Sequence, residues 1–149
     1  MAQTSYDLNQ RIAFAGLKVD SEFDTVESFA ASEEIQFGYG LRANSSDPAN
    51  VVDRVANAAD VFRGISLHQH NAYGKYNDTD TVNTLRRGKA WVQVNANVAV
   101  DAAAYVDPAD GKFTSNAVGT VATGGTFRSA HTYDGGATDN LAQVEINLP

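Results

Sequence analysis

Residues 141–148 alternate without a fault: Ala142, Val144, Ile146 and Leu148 fall on one side, and Gln143, Glu145 and Asn147 on the other. A strand turns successive side chains to opposite faces, whereas apolar positions on a helix recur every three or four residues. This period of two therefore specifies a half-buried β-strand. The same rule sets Ala90, Val92 and Val94 against Trp91, Gln93 and Asn95, and Ile65 and Leu67 against Ser66, His68 and His70. It also lines up Val98, Val100, Ala102, Ala104 and Val106. Between these blocks lie Asn44-Ser45-Ser46-Asp47-Pro48, Asp107-Pro108-Ala109-Asp110-Gly111, Gly124-Gly125 and Asp134-Gly135-Gly136, all rich in residues that tolerate tight or left-handed turns. Short strands punctuated in this way predict a mainly β chain, folded as a sandwich or barrel with at most one or two short helices.

Three stretches depart from this pattern. Phe23, Val26, Phe29 and Ala30 stand near helical spacing, with Asp20 or Ser21 as an N-cap and Glu22 and Asp24 suited to a first turn, so residues 20–32 admit a short helix. Val51, Val52, Val55 and Ala59 fit a helical stripe or the flank of a loop. Residues 1–18 carry Tyr6, Leu8, Ile12, Phe14 and Leu17, spaced mostly by two, with no clear cap or turn. They read as a first strand or an extended N-terminal arm, leaving residues 19–149 as one β-rich domain.

Composition narrows the possible partners. A chain of 149 residues suffices for one domain that buries roughly 70% of its unfolded surface. The formal charge of −7, from 18 acidic and 11 basic residues, disfavours nucleic acid, whose phosphates demand clustered Lys and Arg. With no cysteine, neither a disulfide framework nor a thiolate zinc site can hold the fold together. No apolar run approaches the roughly 20 residues that span a bilayer, and the first residues lack a signal-peptide pattern, so no membrane partner is expected. The simplest reading is a protein made and used in a reducing cytoplasm, or in a particle assembled there.

Few residues suggest chemistry. His68 and His70 on one strand face could supply two nitrogen ligands to a metal, with His131, Asp78 or Asp80 as a third. Their neighbours, Tyr73, Tyr76 and several Asn residues, favour surface or interface histidines instead. No Gly-x-Ser-x-Gly elbow presents a serine, and the adjacent acids Glu33 and Glu34 would point to opposite faces of a strand. The Gly124-Gly125 and Gly135-Gly136 pairs lack the Lys-Ser/Thr of a phosphate loop and read as turns. The expectation is a protein that is not an enzyme and has no metal or other cofactor. Arg86, Arg87 and Lys89 form the one dense basic cluster, beside Trp91. A basic hairpin meeting an acidic protein surface, a nucleic-acid patch and a solvated turn are the readings open to it. Trp91, opposite Val92 and Val94, belongs to an interface or to a second buried sheet face.

A set of blocks in a fixed order adds to this reading. It begins with Glu33-Glu34-Ile35-Gln36-Phe37-Gly38-Tyr39-Gly40-Leu41, followed by Phe62-Arg63-Gly64-Ile65-Ser66-Leu67-His68 and Val82-Asn83-Thr84-Leu85-Arg86-Arg87-Gly88-Lys89-Ala90-Trp91-Val92. Ala104-Tyr105-Val106, Gly111-Lys112-Phe113-Thr114, Gly125-Thr126-Phe127-Arg128-Ser129 and Leu141-Ala142-Gln143-Val144-Glu145-Ile146-Asn147-Leu148 complete it. In this order, over roughly residues 26 to 148, the chain resembles the structural cement, or decoration, proteins of tailed-phage capsids. It departs from that pattern at His68-Gln69-His70 and in the polar stretch from Asn71 to Asp80.

The resemblance implies a β-tulip-like domain that forms a homotrimer. It implies binding to the major capsid protein on the outer surface of the expanded head, at threefold positions, and clamping of that shell against the pressure of packaged DNA. Such a protein would reside in the virion and pass through the host cytoplasm during assembly. The N-terminal region of such proteins often reaches adjacent subunits, which nominates Tyr6, Leu8, Ile12 and Phe14 for arm contacts. Arg86, Arg87, Lys89 and Trp91 are the remaining candidates for capsid or trimer binding. A rival reading is a virion-surface carbohydrate- or host-binding β module, with Trp91, Tyr73 and Tyr76 as its stacking platform. Another is a small metal-dependent enzyme built on His68 and His70.

Overall fold

Thr81–Gln93, with buried Val82, Thr84, Leu85, Ala90 and Val92, forms a strand of 13 residues that organises everything around it. The structure, a computed structural model, describes residues 13–70, 74–135 and 140–149. Its strands in chain order are β1 (Thr25–Ala31), β2 (Ile35–Gln36), β3 (Gly40–Ala43), β4 (Val51–Arg54), β5 (Phe62–Ser66) and β6 (Lys75–Tyr76). There follow β7 (Thr81–Gln93), β8 (Ala103–Val106), β9 (Phe113–Thr114), β10 (Val121–Phe127) and β11 (Leu141–Asn147), with no helix among the described residues. The mainly β expectation holds.

The first half of β7 closes a barrel. It pairs antiparallel with β1, from Thr25↔Arg87 to Ala30↔Thr81, and also with β5, through Ile65↔Leu85 and Ser66↔Thr84. From β5 the pairing passes to β3, from β3 to β4, and from β4 back to β1 through the one parallel pair in the circuit. Five strands thus return to their start, and closure leaves fewer edges open than a flat sheet would. The second half of β7 pairs with β11 from Gln93↔Leu141 to Arg87↔Asn147, and the sheet runs on through β10 and β8 to β9. At Gly125 a Cβ would stand 2.4 Å from the Glu145 carbonyl oxygen, so only glycine lets β10 lie this close to β11.

Two apolar cores follow from this arrangement. Phe29, Ala31, Ile35, Phe37, Leu41, Val52, Tyr76 and Val82 form one, with β2 and β6 as a two-stranded flap over it. The other gathers Phe62, Ile65, Leu85, Val92, Val106, Phe113, Phe127, Val144 and Ile146 with their neighbours. Each large apolar side chain fully removed from water contributes about 1.5–3 kcal/mol, and this burial replaces the cross-links that a cysteine-free chain cannot make. Ala142, Val144 and Ile146 face inward as their alternation requires.

Three local expectations are corrected. Residues 20–32 form no helix: Phe29 and Ala31, two apart, turn into the barrel core while Val26 stays exposed, which is strand geometry over Thr25–Ala31. Val51, Val52 and Val55 are likewise not on a helical stripe, because Val51–Arg54 is a strand, and the chain then turns where Asp60 Oδ2 accepts the Ala56 and Asn57 amides. The alternation from Val98 to Val106 is broken at its centre. Asp101 takes a positive φ of 67°, Ala102 N–H bonds back to Ala99 O at 3.3 Å, and Val100 is left exposed, so the strand begins at Ala103.

Candidate functional site

The surface that gathers Phe14, Lys89 and Trp91 is built by the chain leading into β1. Residues 16–19 lie along the second half of β7. Gly16 N donates to Trp91 O at 2.7 Å, Trp91 N to Leu17 O at 2.8 Å and Val19 N to Lys89 O at 3.1 Å. A fourth bond, His68 N to Gly16 O at 2.8 Å, ties this segment to the chain that follows β5. The His68 ring rests against Phe37 at 5.0 Å and Phe14 at 5.7 Å between centroids.

Past Val19 the chain bulges outward before entering β1, and ion pairs hold the bulge. Glu22 N bonds Asp20 Oδ1 at 3.1 Å, Lys18 Nζ meets Asp24 Oδ2 at 2.8 Å, and Lys89 Nζ reaches Glu22 Oε2 at 3.1 Å and Asp20 Oδ2 at 3.5 Å. The Glu22 carboxylate hydrogen-bonded to Lys89, with Asp20 behind it, holds that ammonium above its ordinary pKa. At the tip of the bulge stands Phe23, 89% exposed. A cleft of about 250 Å³ lies beside it, lined by Arg87, Gly88, Glu145 and Asn147 among others. An open groove of about 630 Å³ lies against the same segment, floored by Leu17, Val26, Leu67 and His68.

The nominated residues thus divide. Phe14, Lys89 and Trp91 meet at the laid-down segment, the first through its ring against His68 and the other two through backbone bonds. Arg87 is exposed and makes no side-chain ion pair among the described residues. Arg86, largely covered, binds Arg63 O at 2.8 Å and the Pro149 carbonyl at 2.8 Å, with Glu27 at 3.6 Å. Arg86, Arg87, Lys89 and Trp91 all stand within β7 rather than on a hairpin turn. Tyr6, Leu8 and Ile12 lie outside the described residues, as does Tyr73.

Other candidates have structural employment. Tyr76 cannot be a stacking platform: it is fully buried, donating its hydroxyl to Leu67 O at 2.6 Å. His131 Nε2 meets Asn140 Oδ1 at 2.8 Å, Asp80 Oδ2 accepts Asn77 N at 2.8 Å, and no three His, Asp or Glu side chains converge as metal ligands among the described residues. Glu33 accepts Arg54 N at 2.9 Å while Glu34 pairs with Lys75 at 2.7 Å, so the two acids diverge. Sequence reasoning missed Phe23, whose signal was an aromatic residue set among Asp20, Glu22 and Asp24 inside a stretch taken for a helix.

Comparison with known proteins gives a consistent direction. Residues 2–147 match the family described as structural cement protein (E217 gp24/Pam3 gp6). No curated protein matches the sequence. Among solved structures, a chain from the capsid of Myoviridae phage XM1 superposes with a TM-score of 0.72 at 18% identity, over 99% of this chain and 98% of that one. The base of the head fibre gp8.5 of bacteriophage phi29 gives 0.56 at 12% identity, over 83% and 94%. At these identities the likeness is one of fold.

Proposed function

Because the chain belongs to the phage structural cement protein family, we propose that it binds the outer surface of the expanded head as a homotrimer at threefold positions and clamps neighbouring copies of the major capsid protein against internal DNA pressure. The observation that carries this reading is the family match over residues 2–147, nearly the whole chain. A barrel closed on itself and a sheet continuing from its longest strand suit a part whose work is mechanical, and the chain has no need of an active site to do it.

The energetics are those of linked binding. A ligand that binds the assembled shell and not its dissociated subunits stabilises the shell, by about 1.4 kcal/mol per site when free ligand stands at ten times its dissociation constant. Three linked contacts raise the effect, because the second and third become intramolecular. A closed cyclic oligomer also matches the symmetry of a threefold seat. Residues 1–18 form the arm in this proposal, rooted on its own domain through residues 16–18 and the Phe14–His68 contact, with Tyr6, Leu8 and Ile12 reaching an adjacent subunit and residues 19–149 forming the domain that seats on the shell.

Co-sedimentation with undecorated heads tests it, comparing expanded shells with unexpanded precursors. Saturable binding to expanded shells alone, in multiples of three per threefold site, is the expected result, and binding to neither form overturns the proposal. A chain lacking residues 1–12 should bind more weakly; unchanged binding would remove the arm from the mechanism.

A further inference from the structure

Phe23 is an unusual side chain to leave in water. A large aromatic 89% exposed on a loose loop would be unremarkable, but the segment that carries this one is tied to its neighbours on both sides. Lys18–Asp24 on one flank and Lys89 with Asp20 and Glu22 on the other fix the bulge that carries it, and Gly88 admits Asp24 so closely that a Cβ there would stand 2.9 Å from the Asp24 Cβ. An exposed aromatic on a tied-down backbone suits a binding hot spot, since only the two side-chain torsions of the ring are left to order on docking.

The same face carries a receptor for such a side chain. The groove of about 630 Å³ exposes Leu17 and Val26 above buried Leu67, with the His68 ring at its floor, and it adjoins the bulge through Asp20 and Ser21. Charges of both signs surround knob and groove: Arg87 is without an ion pair among the described residues, and Glu22 leaves 72% of its side chain exposed beyond its bond to Lys89. A surface that offers both an apolar knob and an apolar groove, rimmed by both charges, is complementary to itself. A shell of one sign or a flat apolar partner would match only part of it.

We propose that Phe23 of one copy of this chain seats in the Leu17–Val26 groove of the next, with Arg87 facing the next copy's Glu22. Each copy then donates a knob and accepts one, a heterologous contact that closes a ring when its rotation divides a full turn. The inference rests on the homotrimer proposed above and names the surface that makes it. It separates association between copies, through residues 17–26 and Arg87, from attachment to the shell.

The test is Phe23→Ser, measured by sedimentation equilibrium over a concentration series beside wild type and a Val118→Ser control, Val118 being 83% exposed in another loop. Neither change removes a buried group, so both variants should fold, as circular dichroism will verify. Wild type and Val118→Ser are expected to associate alike, and Phe23→Ser to weaken each contact by roughly 30-fold or more, the usual loss at a hot spot. Arg87→Glu should weaken association only a few-fold, far less than Phe23→Ser, because an exposed ion pair contributes little. A monomeric wild type, or a Phe23→Ser chain that associates normally but loses head binding, overturns the inference, the latter by moving Phe23 to the shell contact. Failure of the wild type to bind heads would sink the cement proposal while leaving association through Phe23 standing.

Discussion

Replacing Gly16 with alanine should cost this protein more than its small volume suggests, for two separable reasons. Gly16 sits at φ +78°, in the left-handed region, where an L-residue pays about 1–2 kcal/mol. A Cβ at this position would also stand 2.5 Å from His68 N, 2.8 Å from Ser66 O and 2.9 Å from the Leu67 carbonyl carbon. All three are backbone atoms, so no side chain can swing away, and the segment itself must lift. Lifting it strains the Gly16–Trp91 and His68–Gly16 bonds, each contributing about 1 kcal/mol net.

Gly119 supplies the comparison, since its φ is +70° and nothing stands within 4 Å of a Cβ built there. Gly119→Ala should therefore show the conformational cost alone, about 1 kcal/mol, and Gly16→Ala about 3 kcal/mol. Urea unfolding at one fixed protein concentration measures both, and with slopes of about 1–3 kcal/mol per molar the midpoints should separate by roughly 1 M. Coincident midpoints would mean that the backbone contacts around Gly16 yield freely, and the segment along β7 could no longer be regarded as anchored.

Two further predictions concern pH. Burial pushes the Tyr76 hydroxyl above its usual pKa, against the smaller opposing effect of the Asn83 N–H, and Tyr39 shifts upward chiefly through burial as well. The folded protein then keeps protons that the unfolded chain releases, so stability should be fully present below about pH 10 and decline as pH rises beyond it. Tyr76→Phe should flatten that decline and cost about 1–3 kcal/mol at neutral pH, because the buried Leu67 carbonyl loses its 2.6 Å donor; an unchanged alkaline slope in pH-dependent urea unfolding would contradict this. Burial alone would raise the Asp60 pKa, but the Ala56 and Asn57 amides and the Arg42 guanidinium outweigh it and hold the carboxyl below its ordinary range. Its stability is present above about pH 4 and lost as pH falls through the lowered value, so Asp60→Asn should cost about 1 kcal/mol at pH 7 and nearly nothing in strong acid.

Strands were most legible where one face is buried and the other wet. Ala142, Val144 and Ile146 turn inward against Gln143 and Glu145, and the terminal block could be placed from its letters alone. The signal weakened wherever a second contact intruded. Thr84 and Ser66 are fully buried polar residues in the barrel strands, and Ser66 is accommodated because its hydroxyl donates to Gln36 O at 2.7 Å. Gln36 lies 30 residues before Ser66, so no local pattern announces the bond. At Asp101 a single left-handed residue interrupts an alternation that extends on paper from Val98 to Val106. Periodicity registers which side chains are apolar and is blind to a backbone that turns between them.

The surface was legible in its residue types and illegible in its pairing. Arg86, Arg87 and Lys89 read together as one basic cluster, but the fold gives each a different situation. Arg86 closes on Arg63 and Pro149, Lys89 is matched by Asp20 and Glu22, and Arg87 is left facing solvent. The partners of Lys89 lie 67 and 69 residues away, beyond the reach of any local rule. Local charge counting therefore overstates the basic character of β7. The acidic bulge that neutralises it is the same element that raises Phe23 out of the surface, which is why the apolar side chain, and not the arginine run, is the stronger anchor. Exposed ion pairs contribute little affinity, typically below about 1 kcal/mol, whereas a seated aromatic contributes several times that. If association between copies were instead driven by the basic cluster, raising the salt from 50 mM to 500 mM would weaken it steeply; contact through Phe23 should persist at high salt and yield only to loss of the ring.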